Sequence, residues 1–500
     1  MAAEKVPVTP GNDTDDNTLN EMAAGTASPG PVFRTKETDP EKAADNDTAN
    51  NANETDGTDV EADNEDDSSK DGDAADANAL TQVTTFSFTD VPDGGLQAWL
   101  VVLGVWCTSF CSFGWINSVG IFQEYYESGP LSNYSSSTIS WIPSLQIFFM
   151  MAMGPIIGRL FDKFGPRHIL LVGSLIDVFG LMMASISTKY YQLLLSQGVC
   201  SAIGVSAIFQ PALSCIPGWF NKRRGIVYGI VSTGSSLGGV IFPIMVNRLI
   251  RSVGYGWAMR ACAFMILGLL IIANLTVHSR FHAHPHFKPS PKMNLAQVFA
   301  PAKEPGFALL LAGMFFLTFG IFVPITYIPV GALATGNLSP DLAQYLVSIL
   351  NALSLFGRLS SGWASDSLGK FNTFMCSCLV AGIFVLGLWI PGNSKGAVIA
   401  FAAVFGFFSG AYVSLIGSLV AQVSPHKEIG YRTGLVFLVG SIPGLVTGPI
   451  AGAILANKTS GGHENWVGVK VFAGVMLIFG SAVVLMSRIK YAGGSLRTVF

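Results

Sequence analysis

The stretch GRLFDKFGPR at residues 158–167 and the stretch GWASDSLGK at residues 362–370 carry the same punctuation. Gly158, Asp162 and Gly165 in the first stand 204 positions before Gly362, Asp366 and Gly369 in the second, spaced Gly-x3-Asp-x2-Gly in both. Each copy closes a long apolar run, and each is followed within a few residues by another. A repeat of that length in a strongly hydrophobic chain implies two homologous membrane halves, the construction of many secondary transporters. Carriage of a solute across a bilayer is therefore the first functional expectation.

Working outward from the two copies, apolar runs long enough to cross ~30 Å of hydrocarbon recur from Ala98 onward. They are expected at 98–122, 138–158, 168–187, 190–213, 225–246, 258–277, 306–330, 342–364, 372–390, 397–421, 433–456 and 467–487. The expected fold is an all-α membrane protein of twelve transmembrane helices in two six-helix halves, 94–277 and 306–487. A polar, Pro-rich, basic connection at 278–305 separates them, and a short tail follows at 488–500. With the N-terminus placed in the cytoplasm, the inner connections hold sixteen Lys and Arg and the outer ones seven, which sets both tails inside.

Half of the 500 residues are hydrophobic and only 12% are charged, too apolar for an ordinary soluble protein of this length. Residues 1–93 hold 23 acids against 5 bases, and the remainder holds 9 acids against 24 bases. The first stretch, with almost no aromatics, reads as a disordered acidic tail, dispensable for folding. It lacks a secretory signal, so the first span is expected to act as an internal start signal. The seven cysteines lie in or beside apolar runs, where they pack as small hydrophobes. His282, His284 and His286 alternate in a Pro-containing segment that fixes no coordination geometry, so no metal is expected. Asn133 and Asn457 begin acceptor sequences for N-glycosylation in expected outer loops.

The doubled Gly-x3-Asp-x2-Gly, with Lys163 and Arg167 beside the first copy and Lys370 after the second, resembles the loop signature of the major facilitator superfamily. In that family the loop holds helix ends together on the cytoplasmic side in one conformation and releases them in the other. The residue chemistry suits such a task. Gly158 and Gly362 allow close helix approach, Asp162 and Asp366 can accept hydrogen bonds at a helix N-terminus or pair with nearby Arg and Lys, and Gly165 and Gly369 permit a tight reversal.

Asp93, Gly94 and Gly95 with Trp99, just before the first span, resemble the opening signature of the monocarboxylate transporter family. Trp219 to Arg224, including Lys222, Arg223 and Arg224, followed by Gly229, Gly234 and Ser235, resembles that family's signature entering the fifth helix. The resemblance covers roughly residues 92–490 in a fungal style. It implies a small organic solute, a monocarboxylate or related acid, moved by alternating access in the plasma membrane by a monomer without a cofactor. Two residues that the animal proton–lactate carriers use are absent: Asn117 stands near the place of their first-helix Lys, and Ser354 near that of their eighth-helix Asp.

Arg358 lies eight residues before Asp366, about 12 Å from the end of its helix and so near mid-bilayer. A guanidinium at that depth contacts an anionic solute or gates the cavity, or else it bonds helix-end carbonyls or a neighbouring acid. Trp115, Asn117, Gln146, Gln210, Tyr327, Asn351 and Tyr412 are candidate solute contacts or interhelical glue. Asp177 and Glu124 are the carboxyl groups available to a co-transported proton. The chain contains no HExxH, G-x-S-x-G or Walker-A motif, which argues against an enzyme or an ATP-driven pump. Two further readings stay open: export of a specialised metabolite, and a transporter-like nutrient sensor without net flux.

Overall fold

The computed structural model describes residues 91–283, 299–334, 336, 338–392, 394–457 and 464–494. Most of the acidic tail, His284 and His286 with the rest of 284–298, and the last six residues lie outside them. Apolar runs of twenty to thirty residues have no water to satisfy their amides in a bilayer, so each closes its own hydrogen bonds as a helix.

Eleven helices are long and apolar enough to cross a membrane. They are α1 (Leu96–Gly114), α2 (Ser137–Phe164), α3 (Pro166–Ile186), α4 (Tyr190–Gly218), α5 (Arg224–Val253), α6 (Tyr255–Thr276), α7 (Pro305–Ala334), α9 (Lys370–Trp389), α10 (Lys395–Val423), α11 (His426–Ala456) and α12 (Trp466–Tyr491). The twelfth, α8 (Pro340–Leu368), has 29 residues but carries a polar stripe that lowers its mean hydropathy. It packs against α5 on one side and α10 on the other, so the stripe meets protein rather than lipid. Around the outside, Leu275 and Trp363 are 81% and 70% exposed. Such an apolar belt suits a hydrocarbon surround.

The first span is not one continuous helix from 98 to 122. A π-turn at Phe110–Gly114 loosens α1, a turn follows at Asn117 and Ser118, and a separate helix runs over Val119–Ser128. The Asn117 side-chain amide donates to the Phe113 carbonyl at 2.7 Å, satisfying backbone that the break leaves open. Where α2 meets α3 and α8 meets α9, Gly165 (φ 75°) and Gly369 (φ 94°) reverse the chain within one residue.

Within the first half α1 packs on α5 and α6, and α3 on α4 and α6. Within the second, α7 packs on α11 and α12, and α9 on α10 and α12. The halves meet along two long seams, α2 with α11 and α5 with α8. The side on which the chain enters α1 and leaves α12 is called the tail side below.

Candidate functional site

Between the seams lies a cavity of about 270 Å³ lined from both halves. Its walls are mostly apolar, with Phe113, Met151 and Phe209 from the first half and Phe322, Ile325 and Phe437 from the second. The polar stripe of α8 faces into it: Asn351, Ser354 and Arg358 stand at i, i+3 and i+7, on one helix face. Tyr412 of the neighbouring α10 also lines the cavity, its hydroxyl 2.7 Å from Thr318 Oγ1. The lining residues include no Asp or Glu, so Arg358 gives the cavity a positive centre.

Arg358 is 6% exposed. Its Nε donates to Ser354 Oγ at 3.1 Å, and its Nη1 donates to the Ser232 carbonyl and Ser235 Oγ of α5. Nη2 has no hydrogen-bond partner among the described residues. The arginine therefore ties α8 to α5 with one edge and leaves a donor for a cavity occupant with the other.

Away from the tail side the cavity adjoins a second chamber of about 580 Å³, with which it shares Asn117, Gly120, Gln123, Thr326, Pro329 and Val347. This outer chamber carries charge: Glu124 and Glu127 on the helix Val119–Ser128, and Arg248 and Arg251 on α5. Asn133 and Asn457 lie on the same side of the molecule, both exposed.

The tail side is sealed. Asp162 accepts from Gly430 N at 3.0 Å and Tyr431 N at 2.8 Å, capping the start of α11 across the first seam. Asp366 accepts from Gly225 N at 2.7 Å and Ile226 N at 2.9 Å, capping the start of α5 across the second. In each case a carboxylate meets the positive end of a helix dipole and two unsatisfied amides. The glycines let the backbones meet: a methyl on Gly158 would overlap the Gly430 carbonyl, and one on Gly362 would stand 2.7 Å from that of Gly225.

The two stretches that carry the monocarboxylate-type resemblance meet in space. Asp93 Oδ1 accepts from Asn221 N at 2.6 Å and Lys222 N at 2.8 Å, clamping the turn that enters α5. Asp93 takes φ 50°, and Gly94 and Gly95 are also at positive φ. The residue expected to end a disordered tail is thus part of the folded body. Arg224, 3% exposed, donates Nη1 to the Ala421 carbonyl at the end of α10. Lys222 and Arg223 are exposed, as are Lys163 and Arg167; Lys163 lies over the Phe164 ring. Lys370 and Arg224 both sense the Asp366 carboxylate electrostatically.

Several expected solute contacts are placed elsewhere. Trp115 is buried in the first half against Phe122 and Phe242, because it lies two residues from Asn117 and so on the far side of the helix. Gln146 accepts from Gln197 of α4 at 3.4 Å, while its neighbours Ile147 and Met151 face the cavity. Gln210 bonds Ser206 and the Met150 carbonyl, and Tyr327 donates to the Gly448 carbonyl at 3.0 Å. These four act between helices. Asp177 is buried between α3 and α4, accepting from Ser201 Oγ at 2.7 Å, and does not line the cavity.

Sequence reasoning missed the receiving ends of the latches. Gly225 and Gly229 on α5 and Gly430 and Gly434 on α11 form Gly-x3-Gly pairs 205 positions apart, a second repeat shifted by one residue from the first. It also missed Glu304, which takes Arg432 in a two-pronged ion pair at 2.6 and 2.8 Å, with Glu428 on the same guanidinium at 2.9 Å.

A sequence profile described as Major Facilitator Superfamily matches residues 99–394 and 310–495. The MFS transporter asaE of Aspergillus flavus is 60% identical over 402 residues, 80% of this chain and 89% of that protein. The Fujikurins efflux protein of Gibberella fujikuroi is 55% identical over 401 residues, 80% of this chain and 84% of that one. Among solved structures, the E. coli fucose:proton symporter FucP aligns with a TM-score of 0.61 at 13% identity, covering 77% of this chain and 98% of FucP. The human organic anion transporter MFSD10 aligns at 0.59 and 13% identity, covering 79% of this chain and 99% of that one. At such identity these two bear on the fold alone. The relatives are transporters rather than enzymes. This chain belongs to the Major Facilitator Superfamily and is a multi-pass membrane transporter.

Proposed function

We propose that this transporter exports a specialised metabolite, an organic molecule with a largely apolar body and an acidic or carbonyl end. The observation that carries this reading is the cavity: apolar walls, one polar stripe, one arginine and no lining carboxylate. Support for the outward direction comes from relatives that bear efflux in their names, the Fujikurins efflux protein and, at 35% identity, the Aspyridones efflux protein apdF of Emericella nidulans. Export thereby takes precedence over uptake of a simple monocarboxylate. The monocarboxylate-type signatures at Asp93 and Trp219 remain the basis for an acidic end on the cargo, for which Arg358 Nη2 is the donor.

In this reading the tail side is cytoplasmic, the protein works as a monomer in the plasma membrane, and the sealed latches mark the state open to the outside. Loading requires the Asp162 and Asp366 caps to part, after which the two halves rock about the cargo. Glu124 and Asp177 are the carboxyl groups available to a counter-transported proton. Asn133 and Asn457 would face the outside, where glycans attach.

Deleting the gene in the native producer and comparing metabolites in cells and medium tests the reading. Retention of one metabolite class inside the cells, restored to the medium by the intact gene, is the expected result. An unchanged distribution would overturn export. Flux into inverted vesicles then separates a carrier from a sensor, since a sensor binds without net movement.

A further inference from the structure

Asn117 stands where the inner cavity meets the outer chamber, and there it is bonded to another amide. Asn351 of α8 donates Nδ2 to Asn117 Oδ1 at 3.0 Å, joining the second half to the first away from the tail-side latches. Both amides are oriented by backbone: Asn117 Nδ2 donates to Phe113 O at 2.7 Å, and Asn351 Nδ2 also donates to Val347 O at 3.0 Å. Asn117 lines both chambers, and Asn351 lines the inner one. The pair rests on bare backbone of α5, where a methyl on Gly239 would stand 2.8 Å from Asn351 Cγ and 2.9 Å from Asn117 Nδ2. Asn351 Oδ1 has no donor among the described residues.

We propose that the bond between Asn117 and Asn351 is a gate between the two chambers, and that a solute passes it by exchanging hydrogen bonds with these amides. The proposal rests on the cavity being the solute's path. A group with an N–H or O–H can donate to Asn117 Oδ1 as Asn351 Nδ2 leaves it, with Asn351 Oδ1 as a second acceptor beside it, so the exchange is nearly neutral. A purely apolar body leaves Asn117 Oδ1 desolvated and without its donor, which is unfavourable. The gate thus favours cargo with a hydrogen-bonding end, and the positions that set this preference are Asn117 and Asn351, with Gly239 as their seat.

The test uses the full-length protein in detergent micelles, with Ser409→Cys as a reporter. Ser409 lines the inner cavity, and its hydroxyl bonds only the Gly406 carbonyl of its own helix. A bulky polar methanethiosulfonate is added, and labelling of the seven native cysteines is subtracted using protein without the reporter. Asn351→Ala removes the bond, and Gly239→Ala wedges the amides apart without touching a polar atom. Both should raise the labelling rate of the introduced thiol roughly tenfold, the factor expected for loss of about one hydrogen bond. Gly268→Ala, on α6 with open space around it, should leave the rate unchanged. Unchanged rates in both gate variants, each eluting as a single monodisperse species, would overturn the proposal. The readout needs neither cargo nor direction. A faster rate alongside an unaltered metabolite distribution in the deletion strain would strike export and leave the gate standing.

Discussion

The two tail-side seams begin alike and diverge toward the membrane centre. At each, an aspartate near the end of one helix caps a Gly-x3-Gly helix of the other half: Asp162 on α11, Asp366 on α5. Eight residues deeper the first seam has Gly154 against Gly434, so close that a methyl on either would overlap the other's carbonyl. At the same depth the second seam has Arg358, which reaches α5 and lines the cavity. The duplicated part is the closure and the part that differs is the chemistry. Under the proposed function, closure needs both halves, whereas recognition of an acidic end needs a charge on one side only.

Breaking the difference should have the largest effect. Arg358→Ala removes the guanidinium that donates to the Ser232 carbonyl and the Ser235 hydroxyl, and with it the cavity's positive centre. For an exporter, efflux should fall by roughly tenfold or more while the protein still reaches its membrane. Arg358→Lys keeps charge but loses the planar fork, so apparent affinity for an acidic cargo should weaken with less loss of maximal rate. Unchanged efflux in Arg358→Ala would make the two seams functionally equivalent and remove the basis for an acidic cargo.

The glycines come next. Gly158→Ala collides with backbone that cannot yield, while Gly362→Ala meets the Gly225 carbonyl at 2.7 Å, a lesser intrusion. Both should shift the population away from the tail-side-sealed state, Gly158→Ala further. Trypsin cleavage at tail-side loops, faster in Gly158→Ala than in Gly362→Ala, is the measurement. Equal rates would mean the seams close with the same tightness.

Asp162→Asn and Asp366→Asn retain one acceptor oxygen and lose the charge and the second acceptor. Each should weaken the sealed state by roughly 1–2 kcal/mol, the scale for a charged group on helix-end amides. Transport should slow severalfold with abundance spared. Rates near wild type in both would reduce the repeated motif to a marker of topology.

Much of this plan was legible because it is periodic. Twelve apolar runs, a repeat offset of 204 and the depth of Arg358 follow from counting, and counting suffices where lipid forces helices. The direction in which a side chain points within its helix was not legible at this level. Trp115 and Asn117 are two residues apart, and only Asn117 reaches the cavity; Gln146 is buried between helices while Ile147 beside it lines the wall. A span hydrophobic on all sides gives no stripe from which to read orientation. Asn351 and Arg358 of α8 do reach the cavity, because both lie on that helix's polar stripe. The Gly-x3-Gly receivers were present as a second repeat, but in a chain with 55 glycines a pair of small residues draws no notice until a carboxylate is seen to point at it.

The smallest expected effects lie in what steadies each receiving helix, and there the seams differ again. The start of α5 is held by Asp93 on the Asn221 and Lys222 amides, whereas the start of α11 is held by Glu304 and Glu428 on Arg432. Asp93→Ala removes a cap worth about 1 kcal/mol, and Glu304→Gln turns a two-pronged ion pair at a partly exposed site into neutral contacts of about the same or smaller worth. Either alone should lower the melting temperature slightly and leave efflux close to normal. Their pairing with the latch aspartates carries the information. Asp93→Ala should be non-additive with Asp366→Asn, because both loosen the α5 end, and additive with Asp162→Asn, which acts on the other seam. Glu304→Gln should show the reverse pattern. Additivity in all four combinations would mean that neither brace bears on its latch, and that Asp93 serves only to anchor the chain ahead of α1.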